Sequence, residues 1–155
     1  MPRLRKNSTE SAESQRRYNN LREILLYLWQ LPQNLLGLGV MWAMSPGVEE
    51  TFRGCRILRS EKMRGGISLG KYIVISKQFL NPVTERHEWG HTLQSRLLGP
   101  FYLPVVGIPS LLWAAWWKPG RKWDYYAFYT ERWADRLAGI RRQVSSDGRG
   151  TPPRP

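Results

Sequence analysis

Only two histidines and one cysteine occur in this chain of 155 residues. The lone Cys55 excludes an intramolecular disulfide and any zinc knuckle built on cysteines. Acids are scarce too: 12 Asp and Glu stand against 24 Lys and Arg, a formal net charge of +12. Such a surface suits anionic partners, whether acidic lipid headgroups, nucleic acid or acidic polypeptides. Long uninterrupted apolar runs are missing as well. Ile24 to Met44 is broken by Gln30, Pro32, Gln33 and Asn34, and Phe101 to Trp117 carries Pro104 and Pro109. The second stretch sits at the lower edge of the roughly 17–25 residues that span a bilayer as a helix. The basic N-terminus leads into no short apolar core with a small-residue cleavage site, so no cleavable secretion signal is expected. A membrane-associated or cytoplasmic location follows.

What the chain has in plenty is apolar and aromatic side chains. Hydrophobic residues make up 41%, with 8 Trp, enough to exclude a disordered polar chain and to build one core. Residues 1–17 and 143–155 are polar and read as disordered tails, the first of them basic. Residues 18–142 read as a single domain with an apolar insertion at 101–117, and there is no internal repeat. Leu21, Leu25 and Leu28 have helical spacing up to about Gln30, where Pro32 interrupts, and a second apolar piece follows. "SPGVEE" reads as a turn. Residues 55–76 carry β-branched and aromatic residues around a Gly-Gly turn, which predicts two short strands, as in a hairpin. Asn81-Pro82 predicts a helix start, and Gly99-Pro100 its stop after Leu98. A last helix is expected from Asp124 to about Arg142, with Ala127, Ala134 and Ala138 as a small-residue stripe. The fold class is α+β: mainly helical, with a small sheet beside the helix of residues 82–98.

Both histidines fall in that helix, as His87-Glu88-Trp89-Gly90-His91. Residues i and i+4 share a helix face, so two imidazoles can reach one metal ion. Glu88 is rotated off that axis, where it can take a proton from a metal-activated water as general base. Two ligands do not hold a catalytic zinc, and no third histidine exists, so the third must be an acid. "FYTERWADRL" supplies Glu131 and Asp135, four apart on one face. One of them can bind the metal while the other accepts the outer N–H of a ligand histidine. Gly90 would let the two helices approach closely.

H-E-x-x-H with a downstream Glu-x-x-x-Asp resembles the gluzincin group of zinc metallopeptidases, the thermolysin-like enzymes. The resemblance implies a zincin-like domain with Zn2+ held by His87, His91 and Glu131, Glu88 as general base, and Asp135 behind a histidine. More closely, "WQLPQNLLGLG", "GGISLGKYIVIS", "HEWGHTLQSRLLGP" and "YYAFYTERWAD" resemble a small, uncharacterised bacterial family of proposed membrane-associated metallopeptidases. That likeness covers about Tyr27 to Ile140. Two departures stand out: a wide, apolar gap between His91 and Glu131, and no further histidine to stabilise an oxyanion. Tyr125, Tyr126 and Tyr129 are candidates for that task, ahead of Arg132.

The expected function is therefore zinc-dependent hydrolysis of peptide bonds in a peptide or protein substrate. "GISLGKYIVIS" would offer an edge strand, with Gly66 and Gly70 admitting a substrate backbone. The stretch 101–117 is expected as a buried hairpin or a re-entrant, interfacial insertion. Lys118, Arg121 and Lys122 behind it suit anionic headgroups, and Trp113, Trp116 and Trp117 suit the interface. The competing class is a non-catalytic basic protein binding anionic lipid or nucleic acid through Arg53, Arg56, Arg59, Lys62 and Arg64, with a structural or degenerate metal site. No nucleic-acid-binding signature accompanies those residues, so nucleic acid is the weaker partner.

Overall fold

The computed structural model describes residues 3–44, 48–63, 65–117 and 124–142. Helix α1 (Arg3–Trp29) contains neither Gly nor Pro, and its Glu, Gln, Arg and Leu residues favour helix. Residues 3–17, expected as part of a disordered tail, are therefore helical. Helix α2 (Leu31–Met44) follows at 84° to α1. Pro32 enters at the first turn of α2, where its missing N–H costs nothing. The elbow is held by three buried amides. Gln30 and Asn34 donate to the carbonyls of Leu26 and Tyr27, both at 2.9 Å, closing the frayed end of α1. Gln33 donates to Ser95 and to the Gly99 carbonyl, and Ser95 donates back to Gln30.

The sheet has four strands: β1 (Val48–Phe52), β2 (Cys55–Ser60), β3 (Gly66–Leu69) and β4 (Tyr72–Ser76), in the order β1-β2-β4-β3. "SPGVEE" is thus corrected. Val48 to Glu50 belong to β1, whose Glu50 lies across the ladder from Ile57 and pairs with Arg59, while residues 45–47 lie outside the described residues. The expected Gly-Gly hairpin is also corrected. β2 and β4 pair in parallel, with Ile57 opposite Ile73. The chain passes from β2 across to β3, which returns antiparallel to β4, so β4 fills the centre. The tight turn of that hairpin is at Gly70, whose φ is +65°.

Every β4 side chain is buried, because the sheet is covered on both faces. Leu58, Tyr72 and Val74 pack with Met41 of α2. Ile57, Ile73 and Ile75 pack with Cys55 and Trp89, and Trp89 belongs to helix α3 (Pro82–Leu98). This helix has the ends expected of it: the Asn81 side chain accepts from Val83 and Thr84, Pro82 opens the first turn, and Gly99 ends it. It lies between the sheet and helix α5 (Tyr129–Leu137), and Arg86 donates to the Ala138 carbonyl at the end of α5.

The final helix begins later than expected. Asp124 accepts from the Tyr126 N–H and caps a single 3-10 turn, and Phe128 is extended before α5 starts. Residues 143–155, expected as a tail, lie outside the described residues, as do Arg64, Lys118, Arg121 and Lys122. The apolar insertion is not a hairpin. A π-helical turn (Leu103–Gly107) absorbs Pro104 and runs straight into helix α4 (Ile108–Trp116), which opens with Pro109. Among the described residues, no single helix is long and apolar enough to cross a membrane.

Candidate metal centre

His87 and His91 project from successive turns of α3, their rings edge to face with centroids 4.9 Å apart. The third member comes from the first turn of α5. Glu131 Oε2 lies 3.1 Å from His87 Nε2 and 3.4 Å from His91 Nε2. The three residues are buried, each offering a ligand atom within 4.8 Å of the others, and could hold a metal ion.

Close helix contact makes this convergence sterically feasible. A Cβ on Gly90 would stand 2.2 Å from the Ala134 carbonyl oxygen, so only glycine lets α3 come this near to α5. Ala134 and Ala138 are buried along that contact. Ala127, expected in the same stripe, is exposed in the 3-10 turn before α5.

The outer nitrogens are anchored. His87 Nδ1 lies 2.7 Å from Asp135 Oδ1, and His91 Nδ1 lies 2.7 Å from Gln94 Oε1. Gln94 is oriented by its other end, which donates to the Thr130 carbonyl at 2.8 Å, so its oxygen faces the histidine. With an acceptor at each Nδ1, the proton of each neutral ring sits there, and both Nε2 lone pairs point at the Glu131 carboxylate. Two ring nitrogens and a carboxylate facing one another suit a shared cation, a proton on His87 in the metal-free fold or a metal ion in its place, and the three residues could hold one.

Glu131 is held at its other oxygen. Ser110 of α4 donates to Oε1 at 2.5 Å and Thr130 at 3.1 Å, which leaves Oε2 for the shared position. Burial alone would raise the Glu131 pKa, but the His91 and His87 imidazoles hold it far below the usual carboxylate range. Burial would likewise depress His87, yet the bonds to Asp135 and Glu131 raise it to about 9. Asp135, which burial would push up, is kept low by His87 and by Arg142, whose two nitrogens donate to it.

Glu88 is buried beside β3 and outside the three-residue group. Ser68 Oγ lies 2.6 Å from Glu88 Oε2, and Tyr102 donates to the Ser68 carbonyl. A Cβ on Gly66 would fall 2.1 Å from Glu88 Oε1, so this glycine makes room for the carboxylate at the sheet edge. Gly70 has a different neighbour from the one expected: its absent Cβ makes room for the Asn34 side chain, 2.0 Å away.

The tyrosines divide. The ring of Tyr126 stands edge-on against His87, with the Arg142 guanidinium over its face. Tyr125 lies edge-on to Tyr126. Burial raises both phenols above their ordinary value, Tyr125 further through Glu131 and Glu88, so both remain neutral hydrogen-bond donors. Tyr129 is not brought into the group: it is half exposed and its hydroxyl donates to the Val105 carbonyl at 2.6 Å. Arg132 is exposed. Sequence reasoning missed Ser68, Gln94, Tyr102, Ser110 and Arg142. Gln94, three residues after His91, was within reach of a helical-spacing argument, and Ser110 is the only side chain with a hydroxyl between Leu103 and Trp117.

No family model matches the chain, and no match is found among curated proteins or among solved structures.

Proposed function

We propose that the protein is a membrane-associated, zinc-dependent metallopeptidase, with His87, His91 and Glu131 as ligands and Glu88 as general base. One observation carries this reading: both Nε2 atoms and Glu131 Oε2 meet at one point while both Nδ1 atoms are tied down behind. Two imidazoles and one carboxylate match the catalytic rather than the structural pattern of zinc sites, which closes with four protein ligands. Zinc held there supplies a Lewis acid for the scissile carbonyl and lowers the pKa of a water. Glu88 accepts a proton and returns it to the leaving amine. The Ser68 hydroxyl on Oε2 fixes its rotamer and leaves Oε1 to exchange that proton. The edge strand β3 lies alongside, where an extended peptide can add to the sheet through main-chain hydrogen bonds. Tyr126, neutral and against His87, is the best placed of the three tyrosines considered as oxyanion donors.

The basic-scaffold alternative gains nothing from the geometry. Arg59 is paired with Glu50 and Glu85, and Arg53 is stacked on Trp89. The test is metal content and cleavage of quenched-fluorescent peptides. Wild type should carry one zinc per chain, and Glu88→Gln should keep the metal while losing about 10²–10⁴ in hydrolysis rate. A Glu88→Gln protein that cleaves like its parent would refute the mechanism.

A further inference from the structure

The exposed apolar surface is concentrated on three segments: the second half of α1, α2 and α4. Leu21, Ile24, Leu25 and Leu28 of α1 are each more than half exposed. Helix α2 contains no charged residue, yet Leu35, Leu36 and Leu38 lie in solvent and Trp42 is 84% exposed. From Leu97 to Trp117 the chain again has no charge. Ile108, Leu111 and Leu112 of α4 are 54–63% exposed, and Ala114 and Ala115 are exposed too.

We infer that α2, α4 and the adjoining half of α1 are seated in the hydrocarbon of one leaflet of an anionic phospholipid bilayer, without crossing it. This gives the membrane part of the proposed function its elements and depth, and rests on that part alone. The occupant follows from three observations. A helical partner covers one narrow stripe, whereas on α4 Leu111, Leu112, Ala114 and Ala115 leave about half of the circumference bare, and the bare surface continues over α2 and α1. The polar side chains of α2 and α4 turn back to the protein body: Gln33 to Ser95, Asn34 to the backbone of Tyr27 and Lys71, Ser110 to Glu131. Thirdly, the charge is complementary. Arg16 and Arg17 are exposed on α1 just before its apolar run and Arg22 at its start, and Lys118, Arg121 and Lys122 follow α4 in the sequence.

Depth follows from length. Helix α2 has 14 residues. At about 1.5 Å per residue that is roughly 20 Å, against a hydrocarbon core of about 30 Å. The 84° elbow between α1 and α2 allows a broken span or a re-entrant seat, and the protection of the chain ends from protease separates the two. Tyr18, Leu21, Leu25 and Trp29 form one exposed stripe along α1 with Arg22 beside it, an apolar face next to a cation. Ser110 ties this seat to the metal centre, because the helix facing lipid on one side holds Glu131 on the other.

The experiment is flotation of the full chain with phosphatidylcholine vesicles, with and without phosphatidylglycerol. Wild type should float with the anionic vesicles, and protease outside sealed vesicles should remove tags at both ends. Leu35→Glu/Trp42→Glu and Leu111→Glu/Leu112→Glu should each cut the floated fraction at least tenfold, with circular dichroism and zinc content unchanged. Wild type left at the bottom of the gradient, a terminus protected from protease, or a stable dimer in solution that Leu112→Glu splits would each overturn the inference. Flotation without zinc would leave it standing and sink the metal reading instead; zinc without flotation does the reverse.

Discussion

The α3–α5 interface and the α2–α4 surface are built the wrong way round for an ordinary soluble domain. Between α3 and α5 the buried groups are polar and ionisable: His87, His91, Gln94, Glu131 and Asp135. On α2 and α4 the exposed groups are Leu, Ile and Trp. Burying ionisable groups is costly unless each is paired. Here each ligand residue is paired, and pairing is achieved at the cost of a helix contact that only Gly90 permits. Exposing large apolar patches marks an interaction surface. The two regions meet at one hydroxyl, Ser110, which belongs to the apolar helix and serves the polar interior.

The comparison is broken most severely from the inside. Glu131→Ala removes the anion that both Nε2 atoms face. Metal content should fall below a tenth of an equivalent, read by elemental analysis. Removing one partner of a buried charged group typically costs about 3–5 kcal/mol, so the metal-free variant should unfold at clearly lower urea. A pH series sharpens the point. The His87 pKa is raised from 6.5 to about 9 in the metal-free fold, so its contribution to stability is complete below about 6.5 and lost as pH rises through 9. Metal-free wild type should show that loss, and Glu131→Ala should show it reduced but not abolished, because the bond to Asp135, the larger cause of the raised value, remains.

Asp135→Asn is a smaller blow to the same region. The amide oxygen can still accept from His87 Nδ1, but the charge that raises the basicity of the imidazole is gone, and Arg142 loses its counter-ion. Partners behind a ligand of this kind are worth about 10–100-fold in metal affinity. Competition with a chelator should place the variant in that range with its fold intact. An affinity equal to wild type would mean that Asp135 holds Arg142 and does nothing for the site.

How much of this was written in the sequence depends on whether the signal was local. Helix α3 was legible at both ends because Asn81, Pro82 and Gly99 act on their own neighbours. The Glu131/Asp135 pair was legible because four-residue spacing fixes a shared helix face, and the close contact at Gly90 could be read from the absence of a side chain. Strand β1 was hidden by the turn-forming residues in front of it. The parallel pairing of β2 with β4 is a choice of topology that no residue announces. Residues 3–17 looked like a tail because polarity was weighed above the absence of helix breakers. Ser68 and Ser110 reach their carboxylates only after β3 and α4 have docked, so no spacing rule could have found them. Tyr129, one residue from Thr130 and two from Glu131, was drawn into the site by proximity in sequence, whereas the start of α5 turns it toward Val105.

The smallest expected effect tests the outside. Leu112→Glu places a charge where a core residue would tolerate none. An isolated carboxylate forced into a packed interior would cost several kcal/mol or unfold the protein. At a position 63% exposed on α4, the change should shift the stability of the lipid-free protein by no more than about 0.5 kcal/mol in urea denaturation, the range of ordinary surface substitutions. Zinc content should be unaltered, because the same helix holds Glu131 through Ser110 on its other side. A large destabilisation in the absence of lipid would mean that this face is packed against protein in solution, and the contrast between a polar interior and a lipid-facing exterior would dissolve at its outer half. A near-zero effect leaves α4 as a helix whose sequence is explained by the site on one side and by a medium other than water on the other.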